Sequence, residues 1–295
     1  MYVEKLLLKN LQKHLEKLFI ERTNHSEEMQ GPVTINKLII ASRTDPSGST
    51  IYEYMKHEFS WDENHGVLIN GNMALCIMDK PLLYENYPER IFKDKYHIEN
   101  IIFLSKHSSV KEISSLTVHP MGNFSTADLG GNPGAFSMSS PGMMTSALRL
   151  VKEKYRGDRF MITLEATHHG PLTDIPSFFA EIGTTSHDWT DPEALNALSS
   201  AVMETTENNF PDYIGIGGGH YTPKITNYAL QKNINVGHII SKHRHNELTM
   251  DMLYKAIRKT PGIKGFIIDK KGSKASALNL VRAISEKEGF ENIIL

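Results

Sequence analysis

The chain has one cysteine, Cys76, among 295 residues. A disulfide framework is therefore excluded, and so is a thiolate-bound metal. Set in the apolar run Met73–Met78, that cysteine reads as a small buried side chain rather than a nucleophile. Long hydrophobic runs are missing too: nothing approaches the roughly 20 apolar residues needed to cross a bilayer. The first residues carry Glu4, Lys5, Lys9, Lys13, Glu16 and Lys17, which leaves no apolar core for a signal peptide. A cytoplasmic location with no membrane association is the expectation. Net charge is only −2, so nothing global advertises nucleic acid, although a local basic face suffices to engage phosphates. HExxH, GxGxxG, the Walker pattern and a GxSxG elbow are all absent, which weakens the zincin, dinucleotide, P-loop and serine-hydrolase readings.

What is present is a composition able to build a core, 40% hydrophobic and 22% charged, together with 14 histidines. Residues 4–21 show an amphipathic helical stripe (Leu7, Leu8, Leu11, Leu15, Leu18, Phe19), closed by Gly31-Pro32. Residues 1–36 are expected to form a helical extension, and 37–295 a single α/β catalytic domain. Strands are predicted at 38–41, 66–70, 73–78, 100–104, 113–119, 159–165, 212–216, 234–240 and 264–269. Helices are predicted at 50–59, 141–155, 191–208, 223–232, 247–259 and 273–288. Asp191-Pro192 and Thr222-Pro223 each read as an N-cap with proline at the first helical position. This rhythm predicts a mixed, largely parallel sheet flanked by helices. Residues 122–142, rich in Gly, Ser, Asn and Pro, form a long loop of the kind that is functional or disordered.

Ligands of open α/β sheets bind beyond the carboxyl ends of strands, and the reactive side chains of this sequence gather there. His107, His119, His220 and His238 each close or follow a strand, as do Glu165, His168 and His169 together, which predicts one shared sheet edge. Adjacent histidines in an extended segment point to opposite sides. One of His168 and His169 should thus face the site, unless the turn at Gly170-Pro171 bends both inward. A carboxylate with histidines suits either water activation or two ligands of a catalytic zinc. The catalytic candidates are His168, His169, Glu165 and His220, and the metal candidates are His119, Glu165, His169 and His220. Gly217-Gly218-Gly219 lets backbone approach a ligand closely beside a helix start, so Gly218, Gly219 and Tyr221 are candidates for holding substrate or an oxyanion. His107, Ser108 and Asn123 complete that set, with Ser105 and Lys106 as possible phosphate contacts. From Ser241 to Lys274 the lysines and arginines outnumber the acids Glu247, Asp251 and Asp269. This is either a solvated face or a basic rim for a polyanion.

Taken in order, Ser105-Lys106-His107-Ser108-Ser109, Leu116 to Asn123, Glu165-Ala166-Thr167-His168-His169-Gly170-Pro171, Glu181-Ile182-Gly183 with Trp189, Gly217 to Tyr221 and Gly237-His238-Ile239 resemble the archaeal- and plant-type D-aminoacyl-tRNA deacylases. The resemblance covers roughly residues 37–270. It implies a peptidyl-tRNA-hydrolase- or phosphorylase-like fold, zinc as cofactor and aminoacylated tRNA as substrate, its ester to a D-amino acid being hydrolysed. The oligomeric state is left open, a monomer being favoured. Lys106 stands where arginine is common in that family, which keeps the charge but loses bidentate pairing. Two alternatives remain: a phosphorylase-like or amidohydrolase-like metal enzyme acting on a small molecule, and an RNA-binding module without catalysis.

Overall fold

Alternation along one segment sets the middle of the molecule. In Ser177–Gly183 (β10), Phe178, Ala180 and Ile182 point into a helix-covered core, while Phe179 joins a second cluster on the other side. The computed structural model describes residues 32–108 and 112–295. The helix predicted over 4–21 and Ser109 lie outside them.

The described residues build two main sheets. The larger has eight strands in the order β3-β4-β5-β2-β7-β10-β8-β9. Its other members are β2 (Lys37–Ser42), β3 (Asp62–Asn64), β4 (Val67–Asn70), β5 (Met73–Met78), β7 (Ile101–His107), β8 (Ser115–His119) and β9 (Met161–Leu164). β5, β2, β7 and β10 are parallel, whereas β8 pairs antiparallel with β10 and carries β9 parallel to itself. The smaller sheet is wholly parallel, with β12 (Asn235–Ile240), β11 (Asp212–Ile216), β13 (Gly265–Ile268) and β14 (Glu291–Ile294) in that order. A two-stranded ribbon, β1 (Val33–Ile35) with β6 (Tyr96–Ile98), completes the strands. The mixed α/β class is as expected, but two sheets replace the one.

Helix α1 (Pro46–Glu58) starts inside the predicted loop because Asp45 caps it, accepting from Gly48 N at 3.0 Å with Pro46 at the first helical position. α2 (Pro141–Lys154) joins the sheets: it packs on β8 and β9 of one and on β12 of the other. Thr145 Oγ1 accepts from Val236 N at 2.9 Å, and the Arg149 guanidinium donates to the carbonyls of Ala229, Lys232 and Ile234. The remaining helices are α3 (Ser186–Trp189), α4 (Pro192–Glu204), α5 (Pro223–Gln231), α6 (Met250–Arg258) and α7 (Ala275–Glu288). Asp191 caps α4 as predicted, accepting from Glu193 N and Ala194 N. Thr222 does not cap α5, because its hydroxyl donates to Leu164 O at 3.1 Å. Cys76 is buried, and burial pushes its thiol up to about 12. No helix among the described residues is long and apolar enough to cross a membrane.

Lys37, at the start of β2, is 5% exposed. Its ammonium donates to the last carbonyls of α4, Val202 O at 3.1 Å and Thr205 O at 2.9 Å, and also to Met203 O. Burial, opposed by Glu204, lowers its pKa to about 8. Replacing Lys37 by Met strands these helix-terminal acceptors, and an unsatisfied buried polar group costs about 1–3 kcal/mol. Urea denaturation of Lys37→Met should show that loss, and an unshifted midpoint would contradict the capping role.

Candidate active site

The face of β10 that carries Phe179 begins apolar and turns ionic. Phe103 and Phe179 stack at 4.9 Å between ring centroids. Two residues further on, Glu181 sits opposite Ser105 of β7 and Thr117 of β8, with His107 opposite Gly183 and His119 opposite Phe179. The His119 ring lies flat on Phe179, with centroids 5.2 Å apart. Because β8 and β9 run against β10, His119 and Glu165 arrive from the opposite direction to His107. The groups thus form a row across a sheet face, not the single edge of carboxyl ends that was expected.

After β9 the chain crosses to the second sheet. Glu165 N donates to Val118 O, Ala166 N to His220 O and Thr167 N to Ile239 O. Then both His168 and His169 turn inward, with centroids 4.2 Å and 5.0 Å from His119. Of the two expected arrangements, one facing inward or both bent inward before Gly170-Pro171, the second holds, and His169 adopts φ 40°, in the left-handed region that a side chain rarely adopts. Gly122 N, donating to His169 O at 2.8 Å, holds the turn. Backbone strain of this kind is characteristic of functional sites.

Nδ1 of His168 lies 2.8 Å from Ala166 O, Nδ1 of His169 2.6 Å from Gly170 O, and Nδ1 of His119 3.2 Å from Pro120 O. With the proton assigned to Nδ1 in each, His168 and His169 keep an Nε2 lone pair, as does His119 in its neutral form, the arrangement of metal-binding histidines. Ligand atoms of these three residues lie within 4.8 Å of one another. His119 Nε2 is buried and outside hydrogen-bond alignment, 3.6 Å from Glu181 Oε1, and against its burial that carboxylate raises the pKa of the imidazole. Burial and the charge of His119 hold His168 well below its ordinary value and lower His169 to about 4, so both stay neutral.

Glu165 is the opposite pole. Its side chain is fully buried, with Oε1 2.9 Å from His107 Nδ1 and Oε2 3.1 Å from His220 Nε2. Neither oxygen has a donor in hydrogen-bond alignment. Burial would raise its pKa, but the imidazoles of His107, His220 and His119 outweigh that and hold it well below the usual carboxylate range. His107 also lies 3.7 Å from Glu181 and places Nε2 2.7 Å from Tyr221 Oη. Burial opposes its charge, yet the two carboxylates lift its pKa to about 11. His220 is 43% exposed and stands in front of Glu165. A buried carboxylate behind an accessible imidazole is a geometry suited to an orienting group and a base.

A family model described as D-aminoacyl-tRNA deacylase matches residues 94–293. The D-aminoacyl-tRNA deacylase of Thermoplasma acidophilum is 40% identical over 259 residues, 88% of this chain and 99% of that protein. The Thermococcus kodakarensis protein of the same name is 32% identical over 87% of this chain and 99% of its own. The chain belongs to the D-aminoacyl-tRNA deacylase family. A crystal structure of a conserved protein of unknown function, AF0625, has a similar fold, with TM-score 0.81, 28% identity and 88% and 95% of the two chains covered.

Of the candidate residues in this family member, Glu165, His107, His119, His168, His169, His220 and Tyr221 come together. The metal candidates fall in three overlapping ligand triangles: His119 and His169 with His168, Glu165 and His220 with His107, and His119 and Glu165 with Glu181. Gly218 N–H is spent on Gly272 O at 3.1 Å, which removes it as an oxyanion donor. Asn123 braces the 122–142 loop by donating to Gly130 O at 2.9 Å. Ser105 donates to Asp45 at 2.6 Å, so its hydroxyl is committed, and Asp45 also accepts from Lys106 N. His238 lies within β12, buried, between Thr167 Oγ1 and Ser137 O, and props the crossing segment from behind. Ser108 and Lys106 are exposed and line a cleft of about 560 Å³ with Leu82, Leu83, Leu129 and His220.

Glu181 and Asp45 were not among the candidates. An acid in the middle of the apolar run Phe178-Phe179-Ala180-Glu181-Ile182 was the available signal, since an ionised group is buried there only with partners.

The raised pKa of His107 makes a pH prediction. A base with pKa 6.5 unfolded and about 11 folded adds stability that is complete below pH 6.5. That contribution declines as pH rises towards the folded value. In metal-free protein, the stability gap between wild type and His107→Gln should be largest near pH 6 and shrink by pH 10. A gap that does not change with pH would contradict the ion-pair account.

Proposed function

We propose that the protein hydrolyses the ester between a D-amino acid and the 3′-terminal ribose of tRNA, with water activated in the histidine–glutamate cluster. The observation that carries this reading is the pair Glu165–His220, a fully buried carboxylate 3.1 Å behind an accessible imidazole. With Nε2 turned to Glu165, Nδ1 of His220 takes a proton from water as the water oxygen attacks the ester carbonyl. Glu165 offsets the positive charge on the imidazole. The same proton then passes to the departing ribose oxygen, giving the free amino acid and the 3′-hydroxyl. Tyr221, hydrogen-bonded to His107, stands ready to donate to the carbonyl oxygen. His168 and His169 are less suited as the water-activating bases, because burial lowers their affinity for a proton and their free nitrogens lie within ligand distance of His119.

Zinc is part of the proposal, and the residues fit it: one orphaned buried imidazole nitrogen, two neutral neighbours and three buried or accessible histidines around a buried carboxylate. His119, His168 and His169 would hold the ion, with Glu165 and Glu181 offsetting its charge. When bound, zinc supplies a Lewis acid that lowers the pKa of water and polarises a carbonyl. A phosphorolytic reaction on a small molecule is not favoured, since the glycine turn that would cradle phosphate spends its Gly218 N–H internally.

The decisive comparison is deacylation of D-tyrosyl- against L-tyrosyl-tRNA, with and without a chelator. The D form should be cleaved selectively, chelation should abolish cleavage, and added zinc should restore it. His169→Ala should also lower the zinc content of the purified protein. Equal hydrolysis of both forms would refute the substrate, and full activity in chelator would refute the metal.

A further inference from the structure

A second cleft, of about 780 Å³, opens on the other side of His220. It lies at the carboxyl edge of the smaller sheet. From β11 the chain leaves through α5 to β12 on one side, then returns through α6 to β13, and from β13 it leaves through α7 to β14 on the other side. Connections therefore diverge between β11 and β13. Such a topological switch point opens a crevice where parallel α/β sheets bind ligands. The lining matches: Gly218, Gly219 and Tyr221 follow β11, Lys242 and His243 follow β12, and Asp269 and Gly272 follow β13. Lys242 N donating to Gly218 O at 2.9 Å and Gly218 N donating to Gly272 O knit the three loops into one floor.

We infer that this second cleft receives the 3′-terminal nucleotide of the tRNA, while the first receives the amino acid. The inference rests on the deacylase reading above and assigns its two halves to places. His220 lines both clefts, so a substrate whose scissile ester lies at His220 extends one part into each. The first cleft offers Pro81, Leu82, Leu83 and Leu129, a surface for an amino-acid side chain. The second combines an apolar wall of Ile113, Met161, Pro223 and Tyr221 with the exposed Lys242 and His243. A base packs on such a wall, and phosphate pairs with such a rim. Asp269, the acid of the cleft, is already matched by Lys224 at 2.5 Å and by Gly272 N at 3.0 Å, so it does not oppose an anion.

The experiment compares a double variant, Lys242→Glu with His243→Ser, against Lys106→Glu in the first cleft. Two readouts are used: steady-state deacylation of D-tyrosyl-tRNA, and binding of the trinucleotide CCA by calorimetry. The second-cleft variant should raise KM about tenfold, with kcat within about twofold, and flatten the salt dependence of KM. It should also weaken CCA binding about tenfold, with Lys106→Glu having the smaller effect. Unchanged KM and CCA affinity in the second-cleft variant, or a larger loss from Lys106→Glu, would overturn the assignment. Should wild type leave charged tRNA intact, the deacylase reading falls. Loss of CCA binding in the second-cleft variant alone would then still place a nucleotide in this cleft.

Discussion

Glu165 is a carboxylate with no exposure to water, and the site is organised around keeping its charge. An isolated buried carboxylate protonates or is expelled, because solvation lost on burial is not returned by apolar surroundings. Here the return comes from imidazoles on three different segments: His107 at the end of β7, His119 at the end of β8, and His220 beyond β11. Each is close and none is in full hydrogen-bond alignment. Such an incompletely satisfied carboxylate pays for function, since removing any neighbour changes the proton affinity of the rest.

The need to bring those segments together explains the architecture. A single parallel sheet would place all its strand ends on one edge. Reversing β8 and β9 lets His119 and Glu165 meet Glu181 and His107 in the middle of a face, over the Phe103–Phe179 floor. The second sheet adds His220 and Tyr221 from the far side, and the segment 165–167 is hydrogen-bonded to both sheets. Supports lie one layer out. Asp45 ties the start of α1 to the end of β7, His238 pins Thr167, and α2 fastens β12 to the larger sheet.

Much of this was legible in the sequence because the chemistry is local. His107, His119, Glu165, His168, His169 and His220 stood out as ionisable groups beside apolar strands, and the βα rhythm was plain in the C-terminal half. What was hidden depends on tertiary context. β10 escaped prediction because both of its faces are covered: Phe178 and Phe179 erase the period-two signal, and Pro171 and Pro176 upstream read as loop. Glu181 was lost with it. The direction of β8 leaves no local trace, and neither does the left-handed backbone at His169, which neighbouring loops impose. The glycine turn was found, but that Gly272 takes the Gly218 N–H is visible only in the fold.

The central claim is that the buried charge of Glu165 drives His220. Glu165→Gln keeps the shape and removes the charge, so kcat on saturating D-tyrosyl-tRNA is the measurement that isolates it. A fall of about 10²–10⁴-fold, with circular dichroism and melting behaviour retained, is the predicted result. A kcat within about threefold of wild type would contradict it, being far short of what loss of a charged orienting partner costs.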